Sequence, residues 1–273
     1  IQTETSNILF ENCALGSVRA PGTGKVNGLS FINNNMANSY ISIGEYWYYS
    51  TDENRNKNII VSGNNLRYLD LFNIESSSII NNYRVSASDT LNDQIRVDQN
   101  NLDVIISGNR TKYIFIEGSE FYVSDNFVLS PHNNALRGDG LFSSTIERNQ
   151  FGKLNITEAE NYLLLITSMD DVTIRWNTLH GDGRYEGMAI WNQGDYNPPG
   201  FEPILIEHNT FINTTGSGIY ANNMVSTIIE KNEFKDLRNG MGIRLMRAKA
   251  DIINNMIHMG GTGQGVGILL DSD

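Results

Sequence analysis

Three late stretches of the chain repeat one order of apolar and polar positions: IEHNTFINTTGSGIYANN from Ile206, IEKNEFKDLRNGMGIRLMRA from Ile229 and INNMIHMGGTGQGVGILLDSD from Ile253. Each reads as an apolar residue, two variable ones, Asn, any residue, an apolar residue, a Gly-containing turn, and a G-x-G-apolar run. Carried back along the chain, the template anchors on Asn12, Asn34, Asn64, Asn82, Asn109, Asn126, Asn149, Asn177, Asn209, Asn232 and Asn255, at a mean spacing of about 24 residues. Three residues before the anchors stand Leu9, Phe31, Val61, Ile79, Ile106, Val123, Ile146, Ile174, Ile206, Ile229 and Ile252, all apolar. Two residues after them the chain is apolar except at Arg84 and Thr111, and the position just before is polar or Gly except at Trp176. Alternation of period two around a fixed Asn predicts a short strand, a turn and a second strand.

A unit that repeats at this period cannot bury its apolar face alone, so the prediction is a coil of short parallel strands, each rung stacked on the last. The −3 and +2 residues would form inward ladders, and the asparagines would hydrogen-bond from rung to rung. Gly216-Ser217-Gly218-Ile219, Gly240-Met241-Gly242-Ile243 and Gly265-Val266-Gly267-Ile268 would supply turns and the next strand. A leucine-rich repeat lacks its L-x-x-L-x-L units here, and a sandwich lacks its N-G and D-G hairpins. The expected fold is all-β, a single β-solenoid over residues 1–273 with about 11 rungs, roughly 48 Å long at ~4.8 Å per step. The first rung starts near Ile8 and the last residues, Leu270 to Asp273, fall inside a rung. The sequence reading is therefore of a piece of a longer polypeptide, or of ends covered by other chains.

Composition explains the pattern further. The 36 asparagines in 273 residues would be costly in ordinary helices and strands, so they call for a repeated structural slot. The net charge of −11 argues against a nucleic-acid binder, which needs a basic stripe. No apolar run approaches the length of a membrane span. A single cysteine, Cys13, excludes an internal disulfide framework and a multi-thiolate metal site.

The unit I-x-x-N-x-F…G-x-G-I at 22–25 residues per turn resembles the right-handed parallel β-helix of the pectate-lyase-like superfamily, most of all phage tailspike and capsule depolymerases. That resemblance implies a polysaccharide partner, an extracellular or virion location, and a trimer. It does not fix the chemistry, which must come from the residues.

The longest interval between anchors, Asn177 to Asn209, holds Asp182, Arg184, Tyr185, Glu186, Trp191, Asp195 and Tyr196. Carboxylates beside flat rings suit sugar cleavage: one acid protonates the leaving oxygen, the other attacks or activates water, and rings stack on sugar faces. Asp182 and Glu186 are the first expected pair, Asp195 and Asp139 the reserves, with Trp191, Tyr185, Tyr196 and Arg184 binding sugar. Asp139 is expected to meet the acids near Asp182 across one coil. The second-longest interval carries Glu45-Tyr46-Trp47-Tyr48-Tyr49, where Trp47 is a candidate platform. Asp93, Arg96 and Asp98 read as a surface salt bridge, and Asp170 as a turn residue. His180, His208 and His258 fall in tolerant slots.

Hydrolysis by a carboxylate pair, without a cofactor, is thus the expected activity. A lyase acting by β-elimination would use a groove-facing cation such as Arg244, with Ca2+ as a candidate cofactor. A glycan-binding adhesin or fibre without catalysis is the third reading.

Overall fold

A computed structural model of the chain describes residues 5–20, 25–44, 55–83, 93–130, 134–153, 162–184, 186–192, 202–237, 240–260 and 265–271. Among the described residues every strand pairing is parallel, and each strand pairs with strands one turn of the coil away. The chain is the right-handed parallel β-helix expected, with three faces. The first face is made of strands running into the anchors, such as Asp170–Arg175, Ile204–Glu207 and Thr227–Glu230. The second holds the short strands after them, such as Thr178–His180, Thr210–Ile212 and Glu233–Leu237. The third holds Tyr162–Thr167, Glu186–Trp191, Ser217–Asn222 and Met241–Met246. Gln94–Ser107, Tyr113–Ser124 and Leu136–Glu147 each turn the corner from the third face to the first.

The inward ladders follow the repeat. Phe31, Val61, Ile79, Ile106, Val123, Ile146, Ile174, Ile206 and Ile229 lie in register and are fully buried. On the second face Val128, Phe151, Leu179, Phe211 and Phe234 do the same, and the last two rings stack 4.7 Å apart. Thr111 occupies the same slot opposite Val128 despite its hydroxyl; Arg84 lies outside the described residues. In the G-x-G units the second glycine sits in the third-face strand: a Cβ on Gly218 would stand 2.5 Å from the Phe234 ring, so the missing side chain is the space the ring fills.

The asparagines form one continuous column. Asn64 Oδ1 accepts the Asn34 backbone N–H at 2.9 Å and its Nδ2 at 3.0 Å, and the same pair of bonds recurs through Asn82, Asn109, Asn126, Asn149, Asn177, Asn209, Asn232 and Asn255. Each Nδ2 also donates to the carbonyl of the preceding rung's −3 residue, as Asn149 does to Val123 at 2.9 Å. A buried amide thus uses both its donor and acceptor sides, the condition for burying it cheaply.

The column ends differently from expectation. Register pairs Phe10 with Phe31, so Cys13, not Asn12, stands opposite Asn34, and it is Leu9 that is exposed. Asn12 occupies the preceding slot, whose φ is 53°. That slot is left-handed throughout: Asn33, Gly63, Asn81, Gly108, Asp125, Arg148, Trp176, His208, Lys231 and Asn254 all have φ between 52° and 67°. The polar-or-Gly rule before each anchor therefore reflects backbone conformation, since Gly, Asn and Asp tolerate that region best.

Candidate functional site

The outward positions of the third face form ladders too, and one of them is acidic. Phe72 pairs with Asp98, Glu117 with Asp139, Asp139 with Thr167, Thr167 with Trp191 and Trp191 with Asn222. Asp98 and Glu117 sit on neighbouring rungs, where a register shift sets Asp98, Gln99 and Asn100 against Glu117 alone. Three carboxyls therefore occupy consecutive rungs at the corner between the third and first faces. The corner is tight: Gly118 has φ +133°, and a Cβ there would meet the Asn101 carbonyl oxygen at 2.3 Å.

The three acids differ in surroundings. Asp98 is buried, and the Arg96 guanidinium donates to it, Nε at 2.9 Å. Asp139 receives Arg137 Nε at 3.0 Å and the Thr167 hydroxyl at 2.6 Å. Glu117, between them, shares a hydrogen bond with the Asp98 carboxyl and accepts the Gln99 backbone N–H. Burial, then the Asp98 hydrogen bond and the charges of Asp98 and Asp139, push the Glu117 carboxyl up to about 7. One proton is thus held at the corner near neutral pH.

Beside the acids runs a second outward ladder. Arg96 lies 5.7 Å from the Phe72 ring centroid and 5.5 Å from that of Phe115, and Arg137 lies 5.9 Å from Phe115. Guanidiniums and rings hold one another in place there. One rung earlier, Asp70 takes hydrogen bonds from Tyr68 and Gln94 and is pushed up to about 6, mainly by burial. Burial also pushes Tyr68 and Tyr113 up to about 12. Next to Asp70 opens a cleft of about 430 Å³ whose walls include Arg19, Tyr40, Arg67 and Tyr68.

Of the residues singled out from sequence, the structure puts Asp139 in the acidic corner and Trp191 on the same ladder, two rungs away. Arg244 is on the third face, 5.2 Å from the Tyr220 ring centroid and 3.1 Å from Asp271. Glu186 opens a third-face strand, where its Oε2 accepts the Ser217 N–H at 3.0 Å. Asp182 and Arg184 are exposed on the turn before that strand. The expected meeting of Asp139 with the acids near Asp182 does not occur, because its cross-rung neighbours are Glu117 and Thr167. Trp47, Tyr185, Asp195 and Tyr196 lie outside the described residues. Arg96 pairs with Asp98 as expected, although Asp98 is buried rather than on the surface, whereas Asp93 lies 3.7 Å from Lys112. Asp170 accepts the Glu202 N–H at 2.9 Å.

Glu117 and Asp70 lie outside the long intervals between anchors, so interval length does not mark them. The signal was a short one: Ile95-Arg96-Val97-Asp98, Ile114-Phe115-Ile116-Glu117 and Leu136-Arg137-Gly138-Asp139 each end a third-face segment in an acid.

Residues 116–273, more than half of the chain, match the family described as "Periplasmic copper-binding protein (NosD)". The chain belongs to the NosD family. No match is found among curated proteins. Among solved structures the chain is similar to the periplasmic alginate epimerase AlgG, at 10% identity over 93% of this chain and 76% of that one, with a TM-score of 0.45. It is also similar to PfbA, a surface adhesin of Streptococcus pneumoniae, at 9% identity over 98% and 84%, with a TM-score of 0.37.

The family's description names copper, and the residues that could bind it are few. Copper sites use imidazole and sulfur donors brought within one coordination sphere. Among the described residues no group of three or more His, Cys, Asp or Glu could hold a metal ion. His180 and His258 stand on second-face strands three rungs apart, His208 tilts against Trp176 at 6.1 Å, and Cys13 is exposed at the end of the asparagine column. These donors do not fit a copper centre.

Proposed function

We propose that the third face is the working surface of a polysaccharide-cleaving enzyme, with Glu117 as proton donor and Asp139 as the second carboxylate. The observation that supports this reading above all is the stack of Asp98, Glu117 and Asp139 on consecutive rungs beside Phe72 and Phe115. A glycosidase needs one carboxyl that keeps its proton near neutrality and one that is ionised within roughly 5–9.5 Å. Neighbouring rungs stand about 4.8 Å apart, just below the short end of that range, so side chains that splay slightly reach it. Glu117 meets the first requirement through burial and its acidic neighbours; Asp139, on the next rung and accepting hydrogen bonds from Arg137 and Thr167, is our candidate for the second role. Asp98 acts on Glu117 through their shared hydrogen bond and keeps its proton in place. Trp191 and the rings beside the corner would carry the sugar faces.

Elimination from a uronate ranks second. Arg96 and Arg137 do face outward, but each is tied to its own aspartate and is poorly placed to take a proton. A purely adhesive role ranks third, because it gives no use to a carboxyl whose proton is retained by burial and by acidic neighbours. The family's description names the periplasm rather than a virion, and we place the activity outside the cytoplasm.

The test is a panel of bacterial and plant polysaccharides incubated with the protein, following new reducing ends together with near-UV absorbance from unsaturated uronates. Reducing ends without absorbance, abolished by Glu117→Gln, are expected. Absorbance growing with the reducing ends would replace hydrolysis by elimination. Turnover unaffected in Glu117→Gln would remove Glu117 from the mechanism.

A further inference from the structure

The cleft beside Asp70 is opened by an irregularity where the chain turns from the second face to the third. Met36 pairs with Leu66 and Tyr40 with Tyr68, so Ala37, Asn38 and Ser39 stand opposite Arg67 alone. The extra residues bend the strand away and leave a hollow of about 430 Å³. Ser42 lines it, and Tyr40 and Tyr68 stand on neighbouring rungs in its wall.

Its charge is opposite to that of the molecule. Arg19 and Arg67 line it, and among the described residues neither has an ion pair, although most other arginines of the coil are matched to a carboxylate. Asp70, the one acid in the wall, is drawn towards Arg96 and hydrogen-bonded by Tyr68 and Gln94. Two guanidiniums against one carboxyl leave a local charge of 2 − 1 = +1 on a chain whose total is −11. Unpaired guanidiniums in a hollow are forked donors without an acceptor, and a carboxylate matches that fork. Tyrosine faces and the Asn38, Ser39 and Ser42 side chains supply what a sugar ring and its hydroxyls need.

We infer that this cleft is a binding subsite for a uronic-acid residue of the glycan, its carboxylate held between Arg19 and Arg67. The inference rests on the glycan reading of the third face and names the substrate class. From the Ser42 rung to the Glu117 rung is three steps, through Asp70 and Arg96, or roughly 14 Å at ~4.8 Å per step. A polysaccharide seated in the cleft therefore runs along the coil axis to reach the acidic corner.

Binding is measured by calorimetry at low salt on the full chain carrying Glu117→Gln, so that turnover does not consume the ligand. The probes are short oligogalacturonates, oligomannuronates and oligoglucuronates, and the same oligomers with their carboxyls reduced to alcohols. At least one acidic oligomer is expected to bind about tenfold or more tightly than its reduced counterpart. Adding Arg19→Gln and Arg67→Gln should erase that preference without shifting the melting temperature, since both side chains reach solvent. Equal affinity for acidic and reduced oligomers, no binding of any acidic oligomer, or a preference that survives both substitutions overturns the subsite. The two readings fail separately. Loss of the acid preference with Glu117-dependent cleavage intact removes only the subsite, whereas an arginine-dependent preference in an enzyme that cleaves without Glu117 removes only the assignment of the acid.

Discussion

Two corners of this coil are built by the same device, one from neutral amides and one from acids. Between the first and second faces, asparagines stack one per rung from Asn34 to Asn255; between the third and first, carboxyls stack on three rungs at Asp98, Glu117 and Asp139. An amide carries donors and an acceptor, so each copy satisfies the next and the column can extend indefinitely. A carboxylate is an acceptor only, so a stack of them must take protons or arginines, and it stops after three rungs at Thr167. The lesson is that rung geometry is neutral about chemistry: the same spacing of about 4.8 Å makes a scaffold from one side chain and a poised acid from another.

The comparison can be broken hardest at Glu117. Glu117→Gln should lower turnover by about 10²- to 10⁴-fold, the range for losing a general acid, while leaving stability equal or higher because a crowded charge is removed. Reducing-end assays and thermal melts on one preparation read both effects.

Next in size is the exchange of one corner's chemistry for the other's. Asn126 Nδ2 donates to the Ile106 and Ser124 carbonyls and to Asn149, and its Oδ1 accepts twice from Asn109. Asn126→Ala should cost about 3 kcal/mol in chemical denaturation, because several buried groups lose partners. Asn126→Asp should cost as much or more at neutral pH and recover in part on acidification; a cost independent of pH would show that the column does not discriminate amide from acid.

A smaller effect concerns pH. The Glu117 carboxyl is raised from 4.5 to about 7, so between those values the folded chain holds more protons than the unfolded one, and stability falls as pH rises across that window. The loss is complete above about 7. Glu117→Gln should flatten this slope, and activity that needs the protonated acid should fall over the upper part of the same range.

The smallest effects are expected at the residues first favoured from the sequence. Asp182→Asn, on an exposed turn, should change turnover less than about twofold, as surface substitutions usually do. Glu186→Gln should act through its bond to Ser217 on stability rather than on the chemistry. Loss of turnover in either, with folding intact, would return the proton donor to the Asp182–Glu186 pair.

How much of this was legible in the chain follows from what repeats. The anchor asparagines and their −3 and +2 neighbours are local and periodic, so the coil, its inward ladders and the asparagine column could be read before any coordinates. The exception is Cys13 in place of Asn12, which only the pairing of Phe10 with Phe31 reveals. The acidic corner was less legible because Asp98, Glu117 and Asp139 lie 19 and 22 residues apart, and only the register of the third face sets them side by side. Long loops drew attention to Asp182 and Glu186, although a long loop measures chain length and not convergence.

The sequence by itself determined the architecture, because stacking identical side chains depends only on period and on which residues face inward. The tertiary structure alone decided the chemistry: which acid keeps a proton depends on burial and on neighbours one turn away, and the cleft between Arg19 and Arg67 depends on a register shift that no periodic pattern records.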